Sequence, residues 1–174
     1  MLVLATEALT IFFSDRETSD SWGDALLKWW QGACSQFPGI QRLVIYLDNG
    51  PHNAGYRTQF LKRIVEFVDR TGLEVRLVYY PPYHSKYNPI ERCWGALEQK
   101  WNGTLLSHLK IVLQWALRMT WCKKHPTVKY LHGDYPTGVK LSKAEMQPIE
   151  ARLKRSDTLP KYDITITPKE AKSG

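Results

Sequence analysis

Arg42-Leu43-Val44-Ile45-Tyr46-Leu47-Asp48-Asn49-Gly50-Pro51-His52-Asn53 is the stretch on which the fold turns. A nearly continuous apolar run of this length is expected of a strand covered on both faces. It ends on a carboxylate, and Asn49, Gly50 and Pro51 then break it as turn formers. Asp48 is therefore expected at the carboxyl end of a buried strand.

Working outward, Ala8 to Phe13 reads as an earlier strand. Thr18, Ser19 and Asp20 offer caps for a helix that carries Trp22, Leu26, Trp29, Trp30 and Ala33 at helical spacing and stops before Pro38. After the Asp48 turn, a helix over about 56–70 presents Phe60, Ile64, Phe67 and Val68 on one face, with Gly72 as its stop. Leu73 to Tyr79 reads as the next strand, ended by Pro81 and Pro82. A third helix opens with Asn88 as cap, Pro89 in the first position and Glu91 at the third, and continues through Trp94, Leu97 and Trp101. A fourth is expected over about 105–121. Beyond Pro126 the pattern weakens to a short helix over 143–154, a strand over 162–167 and a loose tail after Pro168. These elements divide into a partial catalytic domain over 1–125 and a basic extension over 126–174.

Strands alternating with helices imply parallel pairing through helical crossovers. Ligands in such sheets bind beyond the strands' carboxyl ends, where Asp48 falls. From Asp48 to Glu91 is 43 positions, with one helix and one strand between. That path leaves the sheet edge and returns to it, so the two carboxylates are expected to meet. Two carboxylates side by side repel, and a divalent cation between them reverses that logic. Mg²⁺ takes a few carboxylate oxygens together with substrate phosphates, and a two-metal site drives phosphodiester chemistry. Each acid also has a plainer use: Asp48 can open an Asx-turn, and Glu91 suits a capping box. His52 and His84 can be turn or surface residues, and Trp94 and Trp101 core residues.

The chain has 174 residues, 43% of them hydrophobic, which suffices for a packed domain and excludes a disordered chain. No apolar run approaches a membrane span, so no membrane association is expected. Met1 to Thr10 lacks the pattern of a signal peptide. Three widely spaced cysteines, Cys34, Cys93 and Cys122, fit neither a disulfide framework nor a zinc site, and suit a reducing cytoplasm. The net charge is +7. Residues 1–87 hold nine basic and nine acidic side chains, while 88–174 hold 15 basic and 8 acidic, so the whole excess lies in the second half. A basic half of this kind suits DNA as a partner.

The two segments taken together resemble mariner-like DDE-superfamily transposases of bacterial insertion sequences. The resemblance lies in Asp48-Asn49 at a strand end with His52 after it. It continues in a Pro-rich loop leading into Ser85-Lys86-Tyr87-Asn88-Pro89-Ile90-Glu91, with Trp94 three residues on. It is close over about 43–102, and the run Tyr135-Pro136-Thr137-Gly138-Val139-Lys140-Leu141 adds a weaker likeness. It implies a ribonuclease H-like mixed sheet with flanking helices. It implies also three acids holding two Mg²⁺ (or Mn²⁺) ions, hydrolysis at an element's end, and attack of the freed 3′-hydroxyl on target DNA. Asp48 matches the second acid and Glu91 the third. Asn49, His52 and Asn88 are accessory candidates, and Lys86 and Arg92 are candidates for phosphate contacts.

In that family the first acid lies on the first strand, two strands before the one that precedes the first helix; here only Ala8 to Phe13 fits ahead of that helix, so a hairpin and the first acid with it are expected to be missing. Asp15, Asp20 and Asp24 qualify by residue type alone, in positions that suit caps and solvation. The sequence thus reads as a truncated or partial DDE transposase lacking its first strands and inactive alone. The strand at Ala8 and its neighbours are expected to lack pairing partners. An upstream transposase polypeptide supplying the first Asp, or a homo-oligomer, are the protein partners this reading allows. The alternative is a non-catalytic DNA-binding or interaction module derived from a transposase.

Overall fold

The structure is a computed structural model that describes residues 1–81, 84, 87–105 and 107–169. In chain order its strands and helices are β1 (Leu2–Val3), β2 (Ala8–Phe13), α1 (Ser19–Ala33), β3 (Arg42–Leu47), α2 (Thr58–Thr71) and β4 (Glu74–Tyr79). They continue with α3 (Pro89–Trp101), α4 (Leu109–Arg118), β5 (Thr127–Tyr130), α5 (Lys143–Glu150), β6 (Leu153–Arg155) and β7 (Asp163–Ile166). The described residues form two compact units, one drawn from 1–15 and 83–132, the other from 16–82 and 133–174. Both sheets are mixed, and with five helices they make a mixed α/β fold of the ribonuclease H-like kind.

The first unit holds a three-stranded sheet in the order β1-β2-β5. β2 pairs antiparallel with β1 and parallel with β5. The expectation that the strand at Ala8 lacks partners is thus corrected: it is the central strand of its sheet. β1 and β5 are too short to stand out as periodic patterns, which is why they escape a reading of the sequence. Leu9 and Ile11 point from β2 into a core completed by Cys93 and Leu97 of α3 and by Ala116 and Met119. Burial pushes the Cys93 thiol up to about 11, so it packs as a neutral apolar group. Helix α4 is shorter than expected, because its cap His108 makes no side-chain bond and the chain turns extended at Met119.

The second unit holds a four-stranded sheet in the order β3-β4-β7-β6. β3 and β4 pair in parallel, Leu43 opposite Val75 and Leu47 opposite Tyr79, with α2 as crossover. β7 runs antiparallel to β4, and β6 antiparallel to β7. Helix α2 buries Phe60, Leu61, Ile64, Val65, Phe67 and Val68. It ends at Gly72, whose φ of 71° is the left-handed stop that glycine adopts freely. α1 packs on α2, capped by Thr18 and Ser21 in a reciprocal pair of hydrogen bonds. Arg63 of α2 anchors this contact by pairing with Asp24 and lying 3.7 Å from Asp20.

Strand β3 departs from expectation. Its sequence suggests cover on both faces, yet its residues alternate, with Val44 38% and Tyr46 47% exposed and only Leu47 buried. The reason is position: β3 is the outermost strand of its sheet among the described residues, so one long edge and part of one face lack cover.

Candidate active site

Asp48 follows the last residue of β3, and Tyr80 N–H donates to Leu47 C=O at 2.8 Å, carrying the β3–β4 pairing up to it. The chain then reverses, with Asn49 at a φ of 62°, a left-handed value that asparagine tolerates better than most residues. Asp48 Oδ1 accepts from Gly50 N–H at 3.2 Å, which is an Asx-turn, and from Asn53 Nδ2 at 3.2 Å. Its plainer role is therefore present, but every hydrogen bond described for Asp48 falls on Oδ1. The carboxylate is solvent-exposed. The His52 carbonyl accepts from Ser19 Oγ at 2.7 Å, tying this loop to the start of α1.

Asn53 is the residue that reading the sequence missed. It is 6% exposed. Its backbone N–H reaches Gly50 C=O at 3.4 Å, and its carbonyl accepts from Tyr79 Oη at 3.0 Å. Burial pushes the Tyr79 hydroxyl pKa well up, so it stays a donor. Asn53 Oδ1, by contrast, is buried and has no hydrogen-bond partner among the described residues. An unmet buried acceptor costs about 1–3 kcal/mol, so its retention calls for a use. A methyl group placed on Gly50 would lie 3.3 Å from Asp48 Oδ1, 3.4 Å from Asn53 Oδ1 and 3.6 Å from Asp48 Oδ2. Three oxygens thus face one small space that only glycine leaves open. Hard oxygen donors around such a space fit a divalent cation of the Mg²⁺ kind.

Glu91 stands in the other unit, in the first turn of α3. Asn88 caps this helix, its side chain accepting from Ile90 N–H at 3.4 Å, with Pro89 in the first position. The reciprocal bond of a capping box does not form; Glu91 contributes only its backbone N–H, to Asn88 C=O at 3.0 Å. Among the described residues its exposed carboxylate holds no hydrogen bond or ion pair. It also sits where the helix's N-terminal partial charge favours an anion. Arg92 is exposed beside it, and the His84 ring stacks on Tyr87 with centroids 5.9 Å apart. Lys86 and Ser85 lie outside the described residues. Trp94, expected in the core, is 36% exposed, because the inward face of α3 is taken by Cys93 and Leu97.

The other acids weighed from the sequence are occupied. Asp20 accepts from Gln59 Nε2 at 2.7 Å. Asp24 pairs with Arg63 and accepts from Tyr135 Oη at 3.0 Å. Burial and that Asp24 bond push the Tyr135 hydroxyl up to about 12. Asp15 accepts from Tyr130 Oη. Among the described residues no group of three or more His, Cys, Asp and Glu side chains is placed to hold a metal ion.

Over residues 3–168 the chain matches the family described as the Rhodopirellula transposase DDE domain. It belongs to that family, whose domains use divalent metal ions. No curated protein and no solved structure matches it. No helix among the described residues is long and apolar enough to cross a membrane.

Proposed function

We propose that this chain carries the second and third acids, Asp48 and Glu91, of a mariner-like DDE transposase that cuts and joins insertion-sequence DNA. The observation that carries the reading is the pair of exposed carboxylates in family context, one fixed at the end of β3, the other unengaged in the first turn of α3. Asp48 and Glu91 would hold Mg²⁺ (or Mn²⁺), which supplies charge neutralisation and an activated water for phosphodiester cleavage. Asn49 and His52 shape the loop that presents Asp48, and Asn88 fixes the turn that presents Glu91. Lys86 and Arg92 supply positive charge for the phosphates of bound DNA.

These 174 residues by themselves do not cleave. β2 holds no acid, and Asp15, Asp20 and Asp24 are engaged by Tyr130, Gln59, Arg63 and Tyr135. An upstream transposase polypeptide supplies the first Asp. The outer position of β3, with Val44 and Tyr46 part-exposed next to Asp48, supports a strand joining there. The test is nicking of supercoiled plasmid with Mg²⁺ or Mn²⁺. The chain alone leaves the plasmid intact, and the chain mixed with the upstream polypeptide nicks it unless Asp48→Ala is introduced. Robust nicking by the chain alone that Asp48→Ala abolishes contradicts the claim of inactivity.

A second reading rests on the charge excess confined to residues 88–174. In it the chain is a DNA-binding module without catalysis, held to phosphates by its basic half. Salt-sensitive, metal-independent DNA binding that Glu91→Gln leaves unchanged, together with no cleavage in the mixed assay, favours this reading. No binding at low salt rules it out.

A further inference from the structure

We infer that Asn53 is a direct oxygen donor to the cation held at Asp48, and that Gly50 is glycine because a side chain there would crowd the oxygens and the cation beside them. The inference rests on Asp48 being a cation ligand.

Four observations lead to it. Asn53 is buried at 6% exposure, and its Oδ1 has no hydrogen-bond partner among the described residues. Its amide cannot turn to find one without loss, because Nδ2 already donates to Asp48 Oδ1 at 3.2 Å. Its backbone is held on both sides, by Gly50 C=O at 3.4 Å and by Tyr79 Oη at 3.0 Å. The orphan oxygen and both oxygens of Asp48 lie 3.3–3.6 Å from the point where a Gly50 side chain would begin.

Mg²⁺ holds its oxygens at about 2.0–2.1 Å, so a cation taken by these three would lie further from the Gly50 backbone than that point, with the loop closing around it. The amide carbonyl is a hard, neutral donor. It adds a ligand without adding the like-charge repulsion that another carboxylate would bring against Asp48. Gly50 has no left-handed φ, so its backbone would accept alanine. The constraint there is space beside the oxygens. The Asp48 loop thus offers a chelate from positions 48 and 53 of one short turn, independent of where Glu91 lies.

The experiment measures Mn²⁺ uptake by the full 174-residue chain, through the paramagnetic resonance signal of free Mn²⁺. Melting temperatures with and without Mn²⁺ are recorded beside it. Asn53→Ala and Gly50→Ala are each expected to weaken uptake about tenfold, at the lower end of what the loss of a supporting group at a metal site costs. Asn53→Asp keeps an oxygen and loses the NH₂ group. It is expected to melt lower than wild type without Mn²⁺, from repulsion against Asp48, and to be raised more than wild type when Mn²⁺ is added. Loss of uptake in Asn53→Asp as complete as in Asn53→Ala overturns the inference, since Asn53 would then act only through its NH₂ group. If Asn53→Ala does not fold, Gly50→Ala decides, because it leaves Asn53 intact; unchanged uptake in Gly50→Ala overturns the proposed place of the cation. Uptake lost in Asp48→Asn but unchanged in Asn53→Ala overturns the role of Asn53 and leaves Asp48 standing. Wild-type uptake in Asp48→Asn, or none in wild type, overturns the Asp48 reading itself.

Discussion

The two units hold themselves together in different ways, and each presents its acid accordingly. The unit bearing Glu91 packs Leu9, Ile11, Cys93, Leu97, Ala116 and Met119 into one apolar cluster. The unit bearing Asp48 has its own apolar interior but is also laced with charge: among the described residues the Arg and Lys ion pairs all lie in it. They join Arg63 to Asp24 and Glu66, Arg76 to Asp163, and Arg152 to Asp69. Asp48 is correspondingly held by side-chain bonds from its own loop. Glu91 is held by backbone alone, at a helix start built by Asn88 and Pro89. The difference teaches that a hydrogen-bonded loop fixes a carboxylate through its own oxygens, whereas a helix terminus fixes only the backbone beneath it and leaves the carboxylate's acceptors open among the described residues.

The sharpest break of this contrast lies in the apolar cluster. Leu97→Ala removes a fully buried side chain from the Glu91 unit and is expected to cost about 2–5 kcal/mol in chemical denaturation. A loss under 1 kcal/mol would mean that the cluster is not what holds that unit. Next comes the cap. Asn88→Ala should cost about 1 kcal/mol, because α3 loses its only side-chain cap bond.

Glu91→Gln should cost less, about 0.3–1 kcal/mol at low salt and less at high salt, since it removes only the helix-dipole attraction. A cost equal to that of Asn88→Ala would restore the capping box that the structure lacks. The smallest effect is acid sensitivity in the Asp48 unit. Arg76 and Arg152, each by side-chain hydrogen bonds, hold Asp163 and Asp69 below the usual carboxylate range. A depressed carboxylate stabilises the fold above its unfolded pKa of about 3.9, and that contribution is lost as pH falls through the folded value. Both pairs are partly exposed, so solvent and salt screen them and their contribution is small. Asp163→Asn should therefore lower the melting temperature at pH 7, and the difference should vanish as pH falls through the folded value of Asp163.

Much of this architecture was legible in the sequence. The period of apolar residues, the caps at Thr18 and Asn88 and the stop at Gly72 locate α1, α2, α3, β3 and β4 closely, because those signals act within a few residues. Burial of β3 was not legible, since the cover on Leu43 to Leu47 depends on which strands lie beside it. β5 and β6 are too short for periodicity, and β5 pairs with β2 across most of the chain. Of the site, the acids could be read from their flanking motifs. The role of Asn53 could not, because it depends on how the loop folds Gly50, Asp48 and Tyr79 around one amide.

The central proposal is that Asp48 and Glu91 are each cation ligands, and cleavage of the backbone by bound iron tests it most directly. Fe²⁺ with ascorbate and peroxide generates hydroxyl radicals at the metal, which cut nearby backbone. Cuts near 48–53 and near 88–92 are expected, both suppressed by excess Mg²⁺, the first lost in Asp48→Asn and the second in Glu91→Gln. Cuts near 48–53 that persist unchanged in Asp48→Asn, or cuts near 88–92 that persist unchanged in Glu91→Gln, contradict it.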